Sequence, residues 1–201
     1  MSQVVTGVVR APAGLPSVIA TDGSASKRAV RKVGYLTGFG WLSSTGGWGV
    51  GYCPQPTAIA GVDRAAVAEL RAVSHAITTL LPAGPVTVLL DSQSAISYLN
   101  DWARGHLRMP EGYLGSAWRV PMLTRLAELV AAHPTNLRVR WVRGHAGHVL
   151  NECADSLALL GRRWLADHLD EDAVRVRGAW LAAGFLADHR LPDLLREVGH
   201  G

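Results

Sequence analysis

Residues 141–158 read WVRGHAGHVLNECADSLA, and this stretch decides the fold. The β-branched and aromatic residues of Leu137–Val142 predict a strand, which ends in a Gly-His-Ala-Gly turn. A helix is predicted from about Val149 to about His168. A histidine and carboxylates are therefore expected together at the C-terminal edge of a strand, which suits a site for metal and phosphate. The first turns of the helix carry Asn151, Glu152 and Asp155.

Three further acids upstream have comparable positions. Ser17–Ala20 is a short apolar run that ends just before Asp22, and Val86–Leu90 is a continuous apolar run that ends just before Asp91. Both runs predict buried strands with a carboxylate at the C-terminal end. Glu69 flanks the apolar stripe of a helix predicted from residue 62 to residue 81. The chain thus supplies carboxylates that could meet the opening stretch.

The remaining segments complete a mixed sheet. Gly34–Leu42 and Gly47–Tyr52 predict a hairpin, while residues 1–16 are interpreted as a loose lead-in and 27–32 as a cationic loop. Two more helices are predicted, one ending at Trp102 and one over 121–132, with irregular structure over 103–117 between them. The order β-β-β-α-β-α-α-β-α indicates an α/β protein with a five-stranded mixed sheet flanked by helices.

Four carboxylates form the candidate metal site. Carboxylate oxygens are the hard ligands that Mg²⁺ or Mn²⁺ prefers. Two such ions about 3.5–4 Å apart would clamp the attacking and leaving oxygens of a phosphodiester. Taken singly, each acid is better explained as a cap or a surface charge, and Asp155 alone would stabilise a helix N-terminus. Their joint pattern favours a metal site made of Asp22, Glu69, Asp91 and Asp155.

Composition narrows the class of protein. With 201 residues of which 48% are hydrophobic, one domain with an appendage is expected. There is no apolar run of 18 residues and no signal-like N-terminus, so neither a membrane span nor secretion is indicated. Two cysteines, Cys53 and Cys153, argue against a disulfide framework and favour the reducing cytoplasm. Residues 1–164 hold 16 Lys and Arg against 9 Asp and Glu, which suggests a polyanionic partner.

Four motifs resemble type 1 ribonuclease H in order, spacing and placement: TDGSA at 21–25, AEL at 68–70, LLDSQSA at 89–95 and the stretch at 141–158. The resemblance covers about residues 17–165. It implies the ribonuclease H-like fold and cleavage of the RNA strand of an RNA/DNA hybrid, leaving 5′-phosphate and 3′-hydroxyl ends. It also implies two Mg²⁺ ions, with Mn²⁺ as an alternative.

The resemblance assigns roles to single residues. Asp22 matches the acid that bridges both metals, and Glu69, Asp91 and Asp155 match the other metal-binding acids. His145 matches a flexible histidine that helps proton transfer or product release. Trp102 matches a residue near the DNA backbone, although a place in the core is equally compatible with it. The residues expected to contact nucleic acid are Gly23, Ser24, Lys27, Arg28, Arg31, Lys32, Gln93, Trp102, Arg104 and Asn151.

The sequence departs from the family pattern in two places. The cationic stretch Lys27–Lys32 replaces the usual glycine-rich loop, and Arg64, Ala65 and Ala66 stand where asparagines normally read the minor groove of the hybrid. Affinity for the hybrid is therefore expected to depend on residues 27–32.

The sequence allows two roles for the C-terminal residues 166–201. Residues 1–165 are interpreted as the ribonuclease H domain and 166–201 as a helical extension, with a helix that includes Val174–Leu186 and a shorter one after it. The extension either packs on the domain or offers a surface for self-association of an otherwise monomeric protein.

Three other functions compete with ribonuclease H activity. One is a DNA-processing nuclease of the same fold, and another is a non-catalytic module that binds hybrids. The third is a zinc site, although its spacing matches no standard knuckle. Its ligands would be Cys53, His145, His148 and Cys153.

Overall fold

The computed structural model describes residues 3–30, 34–54, 61–113 and 121–199, without the side chains of residues 61, 62 and 197–199. The described residues form six strands and six α-helices. The strands are β1 (Gln3–Val8), β2 (Val18–Val30), β3 (Gly34–Ser43), β4 (Gly47–Tyr52), β5 (Val86–Leu90) and β6 (Leu137–Trp141). The helices are α1 (Gly61–Ile77), α2 (Gln93–Ala103), α3 (Met122–Ala132), α4 (Val149–Ala166), α5 (Glu171–Leu186) and α6 (Leu191–Gly199).

All six strands join one mixed sheet in the order β1-β4-β3-β2-β5-β6. The pairs from β1 to β2 are antiparallel, and β5 pairs in parallel with both β2 and β6. Ala20 of β2 lies opposite Leu89 of β5. The parallel pairing of β2 with β5 ends at these two residues, and Asp22 and Asp91 each lie two residues further along the chain, so they come together where that pairing ends.

The mixed α/β fold is confirmed, but the expected five strands are six. Residues 3–8, interpreted as part of a loose lead-in, form β1 instead. Only Val5 of this strand is buried, whereas Val4 and Val8 are 39% and 81% exposed. The strand therefore carries almost no hydrophobic pattern, and its pairing partner β4 lies about forty residues away in the sequence.

The cationic loop expected over residues 27–32 is also wrong in its first part, because β2 continues to Val30. Lys27 and Arg28 are exposed residues of this strand. The pairing of β2 with β3 is irregular between Ala25 and Ala29. There the Ser26 hydroxyl donates to the Arg28 carbonyl and accepts from the Leu36 N–H, which links the two strands across the irregularity. Arg31 and Lys32 lie outside the described residues.

The two faces of the sheet carry separate apolar clusters. Successive strand residues point to opposite faces, so Ile19 and Val88 pack with α1, α2 and α3. Ala20 and Leu89 belong to the cluster on the other face, which includes side chains of α4, α5 and α6. This double covering explains why VTVLL in β5 reads as an uninterrupted apolar run.

Both ends of the chain pack around Trp48 on β4. Gly7 of β1 and Gly178 of α5 approach its indole so closely that an added β-carbon would lie 2.7 Å and 2.5 Å from the ring. Buried residues of α5 and α6, among them Val174 and Leu191, join the same cluster as Trp48. In the described part of the chain, no helix has the length and apolar character needed to cross a membrane.

Candidate active site

Three acids from three different elements meet at one edge of the sheet. Asp22 lies on β2, Glu69 lies on α1, and Asp91 follows β5. One carboxylate oxygen of each lies within 4.8 Å of those of the other two. Three negative charges at this separation repel one another strongly, and a divalent cation with its preference for hard oxygen ligands would relieve that repulsion.

Gly23 allows α1 to approach β2. A β-carbon at this position would lie 2.4 Å from the backbone nitrogen of Glu69, far inside any normal contact. Because Gly23 has no side chain, α1 can pack directly on β2, and Glu69 then lies close to Asp22. The Gly23 N–H also donates to Oδ1 of Asp22 across 2.6 Å, which orients that carboxylate.

Burial dominates the electrostatics of Asp22 and Glu69. It raises the pKa of Asp22 to about 7, an effect that the Glu69 side-chain hydrogen bond opposes and that Asp91 and Asp155 add to. The pKa of Glu69 is likewise raised well above its usual value, first by burial and then by the charge of Asp22. Oε2 of Glu69 is buried without a hydrogen-bond partner in the described structure. A buried, unpartnered oxygen next to two other acids is consistent with a metal ligand.

Asp91 is half-buried and held from two sides. Burial raises its pKa, while the charge of His145 and a hydrogen bond from the Asn151 side chain lower it. The Trp141 indole N–H donates to the Asp91 backbone carbonyl across 3.1 Å and so ties β6 to the end of β5. These contacts fix both the carboxylate and the backbone of Asp91.

Asp155 lies at the rim of the site with His145. The two side chains are 3.8 Å apart from Nδ1 to Oδ2, and they are 77% exposed for the histidine and 37% for the acid. Asp155 is absent from the tight group of three acids, although its charge acts on both Asp22 and Asp91. The Gly147 N–H donates to Oε1 of Glu152 across 3.0 Å, which shapes the turn that precedes α4.

Two of the residues expected to contact nucleic acid, Trp102 and Asn151, are buried. Trp102 is 0% exposed, and its indole N–H donates to the Arg108 carbonyl, so it belongs to the core. Asn151 is 2% exposed, and its side chain hydrogen-bonds Asp91. Gly23 and Ser24 are partly buried beside the acids. The residues whose side chains remain available at the surface are Lys27, Arg28, Gln93 and Arg104.

Sequence reasoning missed two features of the site. Arg64 departs from the family pattern, and its guanidinium lies 3.4 Å above the centre of the Tyr35 ring. This cation–π contact ties the start of α1 to β3. The strand pattern around Trp141 gives no sign of its hydrogen bond to the Asp91 carbonyl. Neither contact has a local signal, because each joins residues far apart in the sequence.

The four ligands of the alternative zinc site do not come together. Across the described residues, the group of three or more metal-ligating side chains consists of the three acids. Cys53 and Cys153 are free and buried. Burial raises the pKa of the Cys153 thiol, which disfavours the thiolate that zinc requires.

Comparison with known proteins identifies the family. The RNase H family model matches residues 16–163, and the chain belongs to this family. The matched region begins just before β2 and ends within α4, so it contains all four acids, whereas β1, α5 and α6 lie outside it.

Several relatives named ribonuclease H share part of this sequence. The enzyme of Anaeromyxobacter sp. (strain K) is 36% identical over 126 residues, which are 59% of this chain and 63% of the relative. That of Methylorubrum extorquens (strain PA1) is 36% identical over 96 residues, which are 47% of this chain and 41% of the relative. The matched segments thus span less than two thirds of these relatives.

Solved structures support the fold. The RNase H domain of prototype foamy virus gives a TM-score of 0.53 at 22% identity, covering 73% of this chain and 93% of that domain. The native protease–reverse transcriptase of the same virus gives a TM-score of 0.53 at 22% identity, covering 77% of this chain and 22% of that protein. At this level of identity the likeness establishes a ribonuclease H-like fold.

Proposed function

We propose that this protein is a metal-dependent endonuclease that hydrolyses the RNA strand of RNA/DNA hybrids and leaves 5′-phosphate and 3′-hydroxyl ends. The observation that carries the proposal is the convergence of Asp22, Glu69 and Asp91 within 4.8 Å in a chain of the RNase H family. Relatives that are 36% identical and named ribonuclease H support the same activity.

We propose two Mg²⁺ ions as the cofactor, with Mn²⁺ as an alternative. Asp22 interacts with Glu69, Asp91 and Asp155, so it would be the acid shared by the two ions, and Asp155 at the rim would complete the second ion's ligands. When bound, the ions would activate a water molecule and neutralise charge on the phosphate. The protein itself supplies the buried acids, and Asn151 and Trp141 hold one of them in place.

His145 suits a role in proton transfer at the rim. Its side chain is 77% exposed, so it can reach a bound phosphate without rearrangement of the core. Oδ2 of Asp155 lies 3.8 Å from Nδ1 of His145 and would orient the ring. A histidine that changes charge near neutral pH can accept or deliver a proton during hydrolysis.

Surface cations would hold the sugar-phosphate backbone of the hybrid. Lys27 and Arg28 are exposed on the distal part of β2, on the strand that carries Asp22, and Arg104 is exposed after α2. Contacts of this kind position a duplex without reading its sequence. Gln93, exposed at the start of α2, lies two residues from Asp91 and suits a contact near the cleaved strand.

We also propose that residues 1–165 form the catalytic domain and 166–201 an extension, since the family model ends at residue 163. The free thiols Cys53 and Cys153 support action in a reducing compartment such as the cytoplasm.

The test uses end-labelled RNA/DNA hybrid, RNA duplex and DNA duplex, each incubated with the protein and Mg²⁺. We expect cleavage of the RNA strand of the hybrid alone, with 5′-phosphate on the downstream product. Asp91→Asn should abolish cleavage, whereas Asp193→Asn, an exposed acid on α6, should leave it unchanged. Equal cutting of the DNA duplex would replace the proposal with a DNA-processing nuclease. Binding of the hybrid without cleavage would instead indicate that the protein is a non-catalytic module that binds hybrids.

A further inference from the structure

Helix α5 has an apolar outward face that the rest of the described chain leaves uncovered. Its buried side, Val174, Gly178, Ala182 and Leu186, packs on the domain. On the other side Trp180 is 75% exposed and Val176 is 69% exposed. From Gly178 to Leu186 the helix carries no charged residue and is apolar on both sides, which for a helix in water points to a second contact.

A depression lies beside the exposed tryptophan on the same helix. It has a volume of about 250 Å³ and is lined by Trp180, Leu181, Gly184, Phe185 and Asp188. Gly184 leaves this depression open, since a β-carbon there would meet nothing within 4 Å. A cavity of about 150 Å³ accommodates benzene, so this depression is large enough for an indole ring.

We propose that α5 is a homodimer interface in which Trp180 of each copy inserts over Gly184 of the other. In a two-fold symmetric contact, the same face must supply both a projecting side chain and the recess that receives it. On α5 the projection is Trp180 and the recess is at Gly184, four residues further along. A two-fold axis near Ala182 and Ala183 would run the two helices antiparallel. This arrangement brings each tryptophan opposite the partner glycine.

The charges on this face agree with the antiparallel arrangement. Arg177 is exposed toward one end and Asp188 lies at the other, so each faces its opposite charge across the axis. Asp188 already pairs with Arg190, and such surface pairs stabilise little, so the apolar contact must drive association.

The size of the contact predicts a weak dimer. A helix of 16 residues is about 24 Å long, and one helix pair buries less than the roughly 1,000 Å² of a stable interface. We therefore expect a dissociation constant of roughly 10–100 µM. The acids lie on other elements, so the dimer leaves cleavage of the hybrid unchanged, and the two proposals can fail separately.

Sedimentation equilibrium of the whole protein over this concentration range tests the interface. Trp180→Ala should raise the dissociation constant at least about tenfold. Gly184→Gln should do the same by filling the recess, and it will fold because it replaces an exposed helical glycine with a better helix former. Gly184→Ala, which leaves most of the recess open, and Leu107→Ala, which removes an apolar side chain that is 47% exposed elsewhere, should dimerise like the wild type.

Two results would overturn the proposal. One is a wild-type protein that stays monomeric at all of these concentrations. If such a monomer sediments with phosphatidylcholine–phosphatidylserine vesicles and Trp180→Ala does not, the face binds membranes instead of a second copy. The other is a dimer that both Trp180→Ala and Gly184→Gln leave intact, since it must use a different surface.

Discussion

The backbone of Glu69 lies against Gly23 so closely that no other residue fits at position 23. A β-carbon there would be 2.4 Å from the Glu69 nitrogen and 2.5 Å from the Ala68 carbonyl carbon. Both obstacles are backbone atoms, which cannot rotate away as a side chain would. The distance between β2 and α1, and with it the separation of two acids in the site, therefore depends on this glycine.

Gly23→Ala should accordingly push α1 away from the sheet. We expect a loss of about 1–3 kcal/mol in the free energy of unfolding, because overpacking against fixed atoms strains the core. Urea denaturation followed by circular dichroism measures this loss. Gly184→Ala, at an open helical position, should instead be neutral or stabilise by up to about 1 kcal/mol. Equal stability of Gly23→Ala and the wild type would show that the two elements are not in such close contact.

Stability without metal should fall as pH rises. In the folded protein the pKa of Asp22 is about 7, against 3.8 for the free side chain, and those of Glu69 and Asp91 are also raised. The folded state then holds protons that the unfolded chain releases, so this stabilisation is complete below about pH 4 and is lost toward pH 7. The expected loss is a few kcal/mol.

Thermal unfolding in EDTA and in Mg²⁺, at about pH 5 and about pH 8, measures this dependence. A bound cation favours the ionised acids, so the stabilisation by Mg²⁺ should be larger at the higher pH. Asp22→Asn, which removes one titrating group, should flatten the dependence in EDTA. A metal-free wild type that becomes more stable between these pH values would contradict the burial of these carboxyl groups.

His145→Ala should slow hydrolysis without weakening the fold. The side chain is 77% exposed and packs against nothing in the core, so the unfolding temperature should not change. Loss of a proton-transferring group should lower kcat by about 10²-fold while KM stays the same. Steady-state kinetics on a labelled hybrid gives both constants. His189→Ala, an exposed histidine before α6, is the matched control.

Replacing Lys27 and Arg28 together by alanine should weaken binding of the hybrid and reduce its salt dependence. Two lost phosphate contacts should lower the slope of log K against log salt by about 1.8. Fluorescence anisotropy in Ca²⁺, which binds oxygen ligands without the geometry that Mg²⁺ demands, measures binding at several salt concentrations. Removal of two arginines from the C-terminal end, Arg190 and Arg196, changes net charge equally and should leave the slope unchanged. Equal slopes in the two variants would assign the effect to overall charge.

The positions of the acids could be predicted from sequence because each depends on a local pattern. Asp22 lies just after the buried apolar start of β2, Asp91 follows the apolar strand β5, and Glu69 lies on a helix with a clear apolar stripe. Parallel pairing then brings the strand ends together without any further information. The three-element core of the site therefore follows from periodicity and topology.

The features that escaped prediction depend on contacts between distant residues. β1 has one buried side chain, and its pairing with β4 is what makes it a strand. The polar end of β2 reads as a loop, yet pairing with β3 extends it to Val30. Trp102 and Asn151 have side chains suited to binding nucleic acid, and only the packing around them shows that they are buried.

The first strand also has a consequence for the behaviour of the chain in solution. β1 covers the outer edge of β4, whose sequence GWGVGY is glycine-rich and uncharged. Without residues 1–9, that edge would offer unpaired N–H and C=O groups to other molecules, with Trp48 no longer shielded by Gly7. We expect the truncated chain to aggregate through pairing of exposed β4 edges. In the whole chain, β1 prevents this by occupying that edge.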